Sequence, residues 1–275
     1  MSPDDTRVAL DIRDADSDIW IWDLARETLQ RLTFDPGRNR GPAWTPDGQR
    51  VVFSRGIQGE TEEIYWQAAD GSGAAEPLTA GSMRGVQPSD FSPDAAALVY
   101  EQNSAPRDIW IVPVGNSPGA GQALLETPTN ESSAEISPDG RWLAYHSDES
   151  GQYEIYVRPF PAVDTGRQQI STGGGTRPRW SRDGRELFYY LRQRAGGALM
   201  AVPIESGPSF TAGRPQMLFE GDYRAPNNGR QVYDVSADGA RFLMIKGAGD
   251  DEAAPRQMVL VQNWHQELLR LVPIP

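Results

Sequence analysis

The stretch Trp44-Thr45-Pro46-Asp47-Gly48, followed by Arg50-Val51-Val52-Phe53, decides the fold because its pattern returns along the whole chain. A hydroxyl residue, usually a proline, an aspartate and usually a glycine precede an apolar run. The other copies are Ser2-Pro3-Asp4-Asp5, Ser92-Pro93-Asp94-Ala95, Ser137-Pro138-Asp139-Gly140, Ser181-Arg182-Asp183-Gly184 and Ser236-Ala237-Asp238-Gly239. Their first residues are spaced by 43, 47, 45, 44 and 55 positions. Proline presets φ, aspartate accepts hydrogen bonds from nearby backbone amides, and glycine tolerates positive φ, so each copy reads as a tight turn. The six aspartates are turn-formers before they are candidates for catalysis.

Around each turn the sequence repeats a set of short apolar runs. Before it stands a strand ending in Trp44, Phe91, Ile136, Trp180 or Val235. After it come runs such as Ala97-Leu98-Val99-Tyr100 and then Glu63-Ile64-Tyr65-Trp66 or Asp108-Ile109-Trp110-Ile111. A shorter outer run, such as Leu29-Gln30-Arg31-Leu32-Thr33, closes the unit. β-branched and aromatic residues bounded by Gly, Pro, Asp and Ser read as strands. Four strands per unit, apolar on nearly every residue, are expected of sheets buried on both faces, which is the blade of a propeller. The expectation is an all-β, six-bladed β-propeller of four-stranded antiparallel blades, spanning residues 1–275 as one domain.

The tail aligns on the first unit without a gap. The run from Gln257 to Val261 matches Asp18 to Trp22, and Leu268 to Leu271 matches Leu29 to Leu32. The first unit begins at its turn. The first blade is therefore expected to lack its innermost strand, through truncation or an incomplete ring.

The motif of Trp44 to Gly48, its apolar strand and Glu63-Ile64-Tyr65 resembles the PD40, WD40-like repeat of TolB-type propellers, over the whole chain. The closing stretch, Asn263 to Pro273, resembles the C-terminus of bacterial proteins that join a serine/threonine kinase to such a propeller. The resemblance implies a C-terminal sensory or protein-binding domain, extracytoplasmic if it belongs to a membrane-anchored kinase. The chain itself carries neither a Gly-rich loop leading to a Lys-bearing strand nor a His-Arg-Asp loop, so kinase activity does not transfer.

Composition narrows the functional classes. The net charge of −12 disfavours nucleic acid and anionic membranes as partners and favours basic or polar ones. Cysteine is absent, which excludes disulfides, thiolate metal sites and cysteine nucleophiles. No signal peptide or membrane-spanning run is visible. The two histidines, His146 and His265, read as a strand residue and a tail residue, and no Gly-x-Ser-x-Gly elbow occurs. Gly173-Gly174-Gly175 reads as a crossing between blades, since no helix follows it to make a phosphate site.

Two regions remain as candidate sites. Inner strands line the channel of a propeller, and here they carry Asp90, Glu135, Arg179 and Asp234, with Arg40, Gln87, Arg177 and Gln231 nearer the mouth. Asp90, Glu135 and Asp234 could hold Ca²⁺, which takes six or more oxygens, or could be neutralised by Arg177 and Arg179. The face opposite the turns carries the longer loops, at 35–40, 147–152, 192–196, 222–229 and 247–255, among them Tyr223, Arg224, Asn227 and Asn228. The expected function is a non-catalytic binding or sensory module that recognises a protein or a small ligand. The rival expectation is a calcium-dependent, lactonase-like hydrolase built on the channel carboxylates.

Overall fold

The computed structural model describes residues 1–13, 17–56, 61–81, 83, 85–194, 196–206, 209–223, 231–246 and 258–261. Its strands form six antiparallel sheets that follow one another in chain order. The first holds β1 (Arg7–Arg13), β2 (Ser17–Asp23) and β3 (Thr28–Arg31). The second holds β4 (Arg38–Trp44), β5 (Arg50–Gly56), β6 (Glu62–Ala68) and β7 (Glu76–Pro77). The third holds β8 (Val86–Phe91), β9 (Ala97–Gln102), β10 (Asp108–Pro113) and β11 (Gln122–Leu125). The fourth holds β12 (Glu131–Ile136), β13 (Trp142–Ser147), β14 (Glu154–Pro159) and β15 (Gln168–Gln169). The fifth holds β16 (Thr176–Trp180), β17 (Glu186–Arg192), β18 (Gly197–Ser206), β19 (Phe210–Ala212) and β20 (Gln216–Gly221). The last holds β21 (Tyr233–Val235), β22 (Phe242–Ile245) and β23 (Met258–Val261). Among the described residues no helix is long and apolar enough to cross a membrane.

This is an all-β propeller. The middle strands are apolar on both faces because both are buried: Val51, Val52 and Phe53 in β5, Leu98, Val99 and Tyr100 in β9, and Leu143 and Ala144 in β13 are all inaccessible or nearly so. Each interface packs residues of two sheets together. Val99 and Ile109 of the third sheet meet Ala134, Leu143 and Tyr145 of the fourth, and Phe188 of the fifth meets Phe242 of the last edge-on at 5.1 Å.

The recurring turn forms as its chemistry dictates. The hydroxyl donates to the aspartate two residues on, at 2.6 Å from Ser2, Thr45, Ser92 and Ser137 and 2.7 Å from Ser181. The same oxygen accepts the amide five residues on, at 2.9–3.0 Å for Arg7, Arg50, Ala97, Trp142, Glu186 and Arg241. The hydroxyl bond holds Asp4, Asp47, Asp94, Asp183 and Asp238 below the ordinary carboxylate value, Asp4 at about 2.

A second latch at the opposite end of the strands also uses a hydroxyl. Thr33, Thr79 and Ser171 accept the amides of Ile19, Ile64 and Ile155 at 3.0, 3.0 and 2.8 Å. Thr33 and Ser171 also donate to Asp18 and Glu154, the acids preceding those isoleucines. Glu154 in turn accepts the amides of Gly173 and Gly174 at 2.8 Å each. The triple-glycine crossing thus wraps an internal carboxylate.

The expectation of four strands per blade needs correction in the fifth sheet, which has five. The first half of β18 pairs with β20 and its second half with β19. Part of the extra length of this period falls at β19, whose Phe210 packs on Trp142 at 4.9 Å and on Trp180 at 6.2 Å, and part falls after β20, where 224–230 lie outside the described residues. The first sheet has three described strands, and β1 is its edge. β23 pairs with β22 as the tail alignment expects, while 262–275 lie outside the described residues.

Candidate functional site in the central channel

The inner strands β4, β8, β12 and β16 all shift register part-way along, at Arg40/Ala43, Pro88/Asp90, Ser132/Glu135 and Thr176/Arg179. A bulge re-aims the backbone, and here it places left-handed residues three positions before the large strand-ending one. These are Gly41 (φ 59°), Ser133 (φ 52°) and Arg177 (φ 57°). The amide at each bulge points at a side chain from the strand that follows the turn of the preceding unit: Gly41 at Asp11 (3.3 Å), Ser133 at Glu101, and Arg177 at His146 Nδ1 (3.3 Å). In β8 the bulge residue is Pro88, which has no amide to satisfy, and the corresponding residue before it is Ser54. Asp11, Ser54, Glu101 and His146 all lie nine residues after their turn hydroxyls, a signal present in the sequence but masked by the louder turn motif.

One residue before the strand-ending position stand Asp90, Glu135, Arg179 and Asp234. Their carboxylates tie each unit to the next. Asp90 accepts the amide of Ile136 at 2.9 Å, Glu135 that of Trp180 at 2.8 Å, and Asp234 the main-chain nitrogen of Met1. Arg179 fills the same position in the fifth sheet. Its Nη1 donates to Glu135, and its Nε lies 3.2 Å from Asp234 Oδ1.

These groups bound a cavity of about 670 Å³ along the axis. Asp11, Asp90, Glu101, Glu135, Asp234 and Arg179 supply its charged wall, with Arg182 at the rim. Trp44, Phe91, Trp180, Tyr233 and Leu243 supply much of its apolar wall. Ser89 Oγ and Gln231 Oε1 are buried there without a hydrogen-bond partner among the described residues. Burial pushes Asp90 up to about 6, Glu101 to about 7 and Glu135 to about 8, the last against the pull of Arg179. Burial acts the same way on Asp234, but Arg179 and the Met1 amino group outweigh it and hold that carboxyl low.

The structure thus gathers Gln87, Asp90, Glu135, Arg179, Gln231 and Asp234 around one space. Arg40 and Arg177 do not line it. Arg40 pairs with Ser54 across the sheet, and its carbonyl accepts the Ser54 hydroxyl at 3.2 Å. Arg177 is buried in the wall, where its carbonyl accepts the Tyr233 hydroxyl at 2.7 Å. Of Arg177 and Arg179, it is Arg179 that pairs with the channel carboxylates, joined at Asp234 by the Met1 amino group. That guanidinium sits between Glu135 and Asp234, and among the described residues no three His, Cys, Asp or Glu side chains are grouped to hold a metal ion.

His146 is a buried, neutral strand residue: burial, then Arg177 and Arg107, lowers it to about 3. Tyr223 is half-buried against Phe219, with ring centroids 5.6 Å apart. Arg224, Asn227 and Asn228 lie outside the described residues.

Solved structures share this fold. TolB from Acinetobacter baumannii superposes with a TM-score of 0.68 over 94% of this chain and 58% of its own, at 18% identity. This chain is a β-propeller similar in structure to TolB. A TolB-type protein of Agrobacterium tumefaciens gives a TM-score of 0.64 at 18% identity, covering 80% of this chain and 78% of its own. An oligogalacturonate lyase in complex with manganese gives 0.60 at 12% identity, covering 97% of this chain and 73% of its own. The chain spans 58% of the length of the A. baumannii TolB, so the two share the propeller and not their whole length. At such identities the likeness speaks for the fold alone. No protein-family model and no curated protein matches the sequence.

Proposed function

We propose that this propeller is a non-catalytic binding module whose ligand presents a cationic group to the central channel. The reading takes the six sheets as six blades, the first without an innermost strand. One observation carries it: a cavity of about 670 Å³ whose wall holds five carboxyls, opposed among the described lining residues by Arg179, the Met1 amino group on Asp234 and the rim residue Arg182. Low-dielectric walls focus such a field, and a concave space with a few convergent polar groups is the usual form of a ligand site. Arg182 is already engaged with the first turn, through Pro3 O and Asp5. Ser89 and Gln231 add a hydroxyl and an amide oxygen for a ligand's own polar groups. The aromatic wall suits the apolar stem that carries an amine or guanidinium. Such a module fits the ligand-reading end of a receptor kinase, the setting implied by the closing stretch at 263–273.

Trp44 and Trp180 line the cavity and report on it. Titration with spermidine, followed by tryptophan fluorescence, should give a saturable change that weakens with salt. The Asp90→Asn, Glu101→Gln double variant should lose at least tenfold in affinity. An equal response from the variant, or none from the parent protein, would refute the proposal.

A further inference from the structure

Two seams between neighbouring sheets, both among the recurring turns, are built on one plan and filled differently. At each, a tryptophan ends an inner strand, Trp44 in β4 and Trp180 in β16, where the other inner strands end in Phe91, Ile136 and Val235. The turn that follows closes on a left-handed glycine, Gly48 (φ 67°) or Gly184 (φ 68°). The proline of the preceding turn, Pro3 or Pro138, packs at that glycine. The residue whose amide bonds to the preceding turn hydroxyl completes the seam, and it is Arg7 in one case and Trp142 in the other. Arg7 shows what the seam accommodates. Its guanidinium lies over the Trp44 ring, 4.7 Å from the centroid, and its Nη2 donates to the Gly48 carbonyl at 3.0 Å.

The second seam has no such arginine. Trp142 packs instead on Phe210, and a cavity of about 210 Å³ lies among Pro138, Trp142, Trp180 and Gly184. Asp139 and Asp183 also line it. Asp139 is held by Arg141 Nη2 at 2.7 Å, whereas Asp183 is exposed and Arg185 Nε stands 3.8 Å from it. The Ser181 hydroxyl holds Asp183 below the ordinary carboxylate value, so it is charged at neutral pH.

We infer that this groove takes an arginine side chain of a partner protein, seated as the chain seats its own Arg7. A planar guanidinium stacks on an indole and keeps N–H groups for a carbonyl and a carboxylate, a combination that the compact ammonium of lysine does not match. In the second seam the corresponding acceptors are the Gly184 carbonyl and Asp183. The two aspartates repel an α-carboxylate, which favours an arginine within a polypeptide over the free amino acid. The groove shares Pro138 and Trp180 with the channel wall, but Trp142, Asp183 and Gly184 do not line the channel cavity. The inference therefore stands apart from the channel reading.

The test follows the Gly184 amide and the Trp142 indole of the full chain by nuclear magnetic resonance. The probes are a blocked glycine-arginine-glycine tripeptide, the same peptide with citrulline, and free arginine. The arginine peptide should give saturable shifts at both groups. The citrulline peptide, which keeps the shape without the charge, should bind about tenfold more weakly. Free arginine should bind about threefold more weakly than the blocked peptide, and Asp183→Asn should weaken the peptide by about the same factor while leaving the response of the channel to spermidine as it was. Trp142→Arg, which supplies the seam with a guanidinium of its own, should abolish the Gly184 shift. Equal binding of the arginine and citrulline peptides, free arginine binding as tightly as the blocked peptide, a response unchanged in both variants, or shifts at Trp44 without Gly184 would each overturn the inference. None of these outcomes decides the channel reading, which stands or falls on spermidine.

Discussion

The residue that organises the channel is Arg179. It answers Glu135 and Asp234 together, with the Met1 amino group also on Asp234, while Asp90 and Glu101 have no ion-pair partner at salt-bridge distance among the described residues. Buried carboxyls in that position keep their protons past the usual range, Asp90 to about 6, Glu101 to about 7 and Glu135 to about 8. The sign of the consequence is fixed by linkage. The folded protein holds protons that the unfolded chain releases above its ordinary carboxyl pKa, so stability contributed by these groups is present in mild acid and is lost as pH rises toward 8. A melting-temperature series should fall by several degrees between pH 5 and pH 8, and the Glu101→Gln, Glu135→Gln double variant should flatten it. Spermidine should bind more tightly across the same interval, because the wall gains charge. A pH-independent melting temperature in the parent protein would contradict this picture of the wall.

At the scale of the strand, the bulge explains why these side chains meet. Gly41 occupies a left-handed position, and a Cβ there would lie 3.2 Å from Gln87 Cγ. Gly41→Ala should therefore cost about 1 kcal/mol or more in chemical denaturation, from backbone strain and crowding together. A neutral result would mean that the bulge is not held in this conformation. The sequence announced the strands and turns plainly, since a turn motif at near-constant spacing is a local signal. It placed Asp90, Glu135, Arg179 and Asp234 on one axis because each precedes a strand-ending residue. It did not reveal that Arg40 and Arg177 leave that axis. A one-residue shift in register sends a side chain to the other face, and no local pattern marks a bulge when its residue is serine or arginine. The fifth sheet was hidden for a related reason: the extra length of its period is visible, but whether it makes a loop or β19 depends on Phe210 finding Trp142 and Trp180.

At the scale of the molecule, the ring depends on departures from the repeat. Pro3 packs at the glycine of the next turn, Gly48, and Pro93 and Pro138 sit in the same way at Gly140 and Gly184. In the first turn the glycine position is Asp5 and in the last the proline position is Ala237, which leaves an amide free to donate. Asp5 accepts that amide at 2.7 Å and lies 3.4 Å from Arg241. Asp5 and Ala95 share φ of 57°, so replacing either by glycine relieves the same local strain. Ala95→Gly should be neutral or stabilising by up to about 1 kcal/mol, whereas Asp5→Gly should lose about 1–3 kcal/mol with its closing contacts. Equal effects would mean that these contacts do not join the last sheet to the first.

Hydrogen exchange with and without saturating spermidine tests the central claim most directly, because it reports where a cationic ligand sits. The account predicts slower exchange in β1, β4, β8, β12, β16 and β21, the strands that wall the channel. Protection confined to the loops at 35–40 and 147–152, or none anywhere, would contradict it.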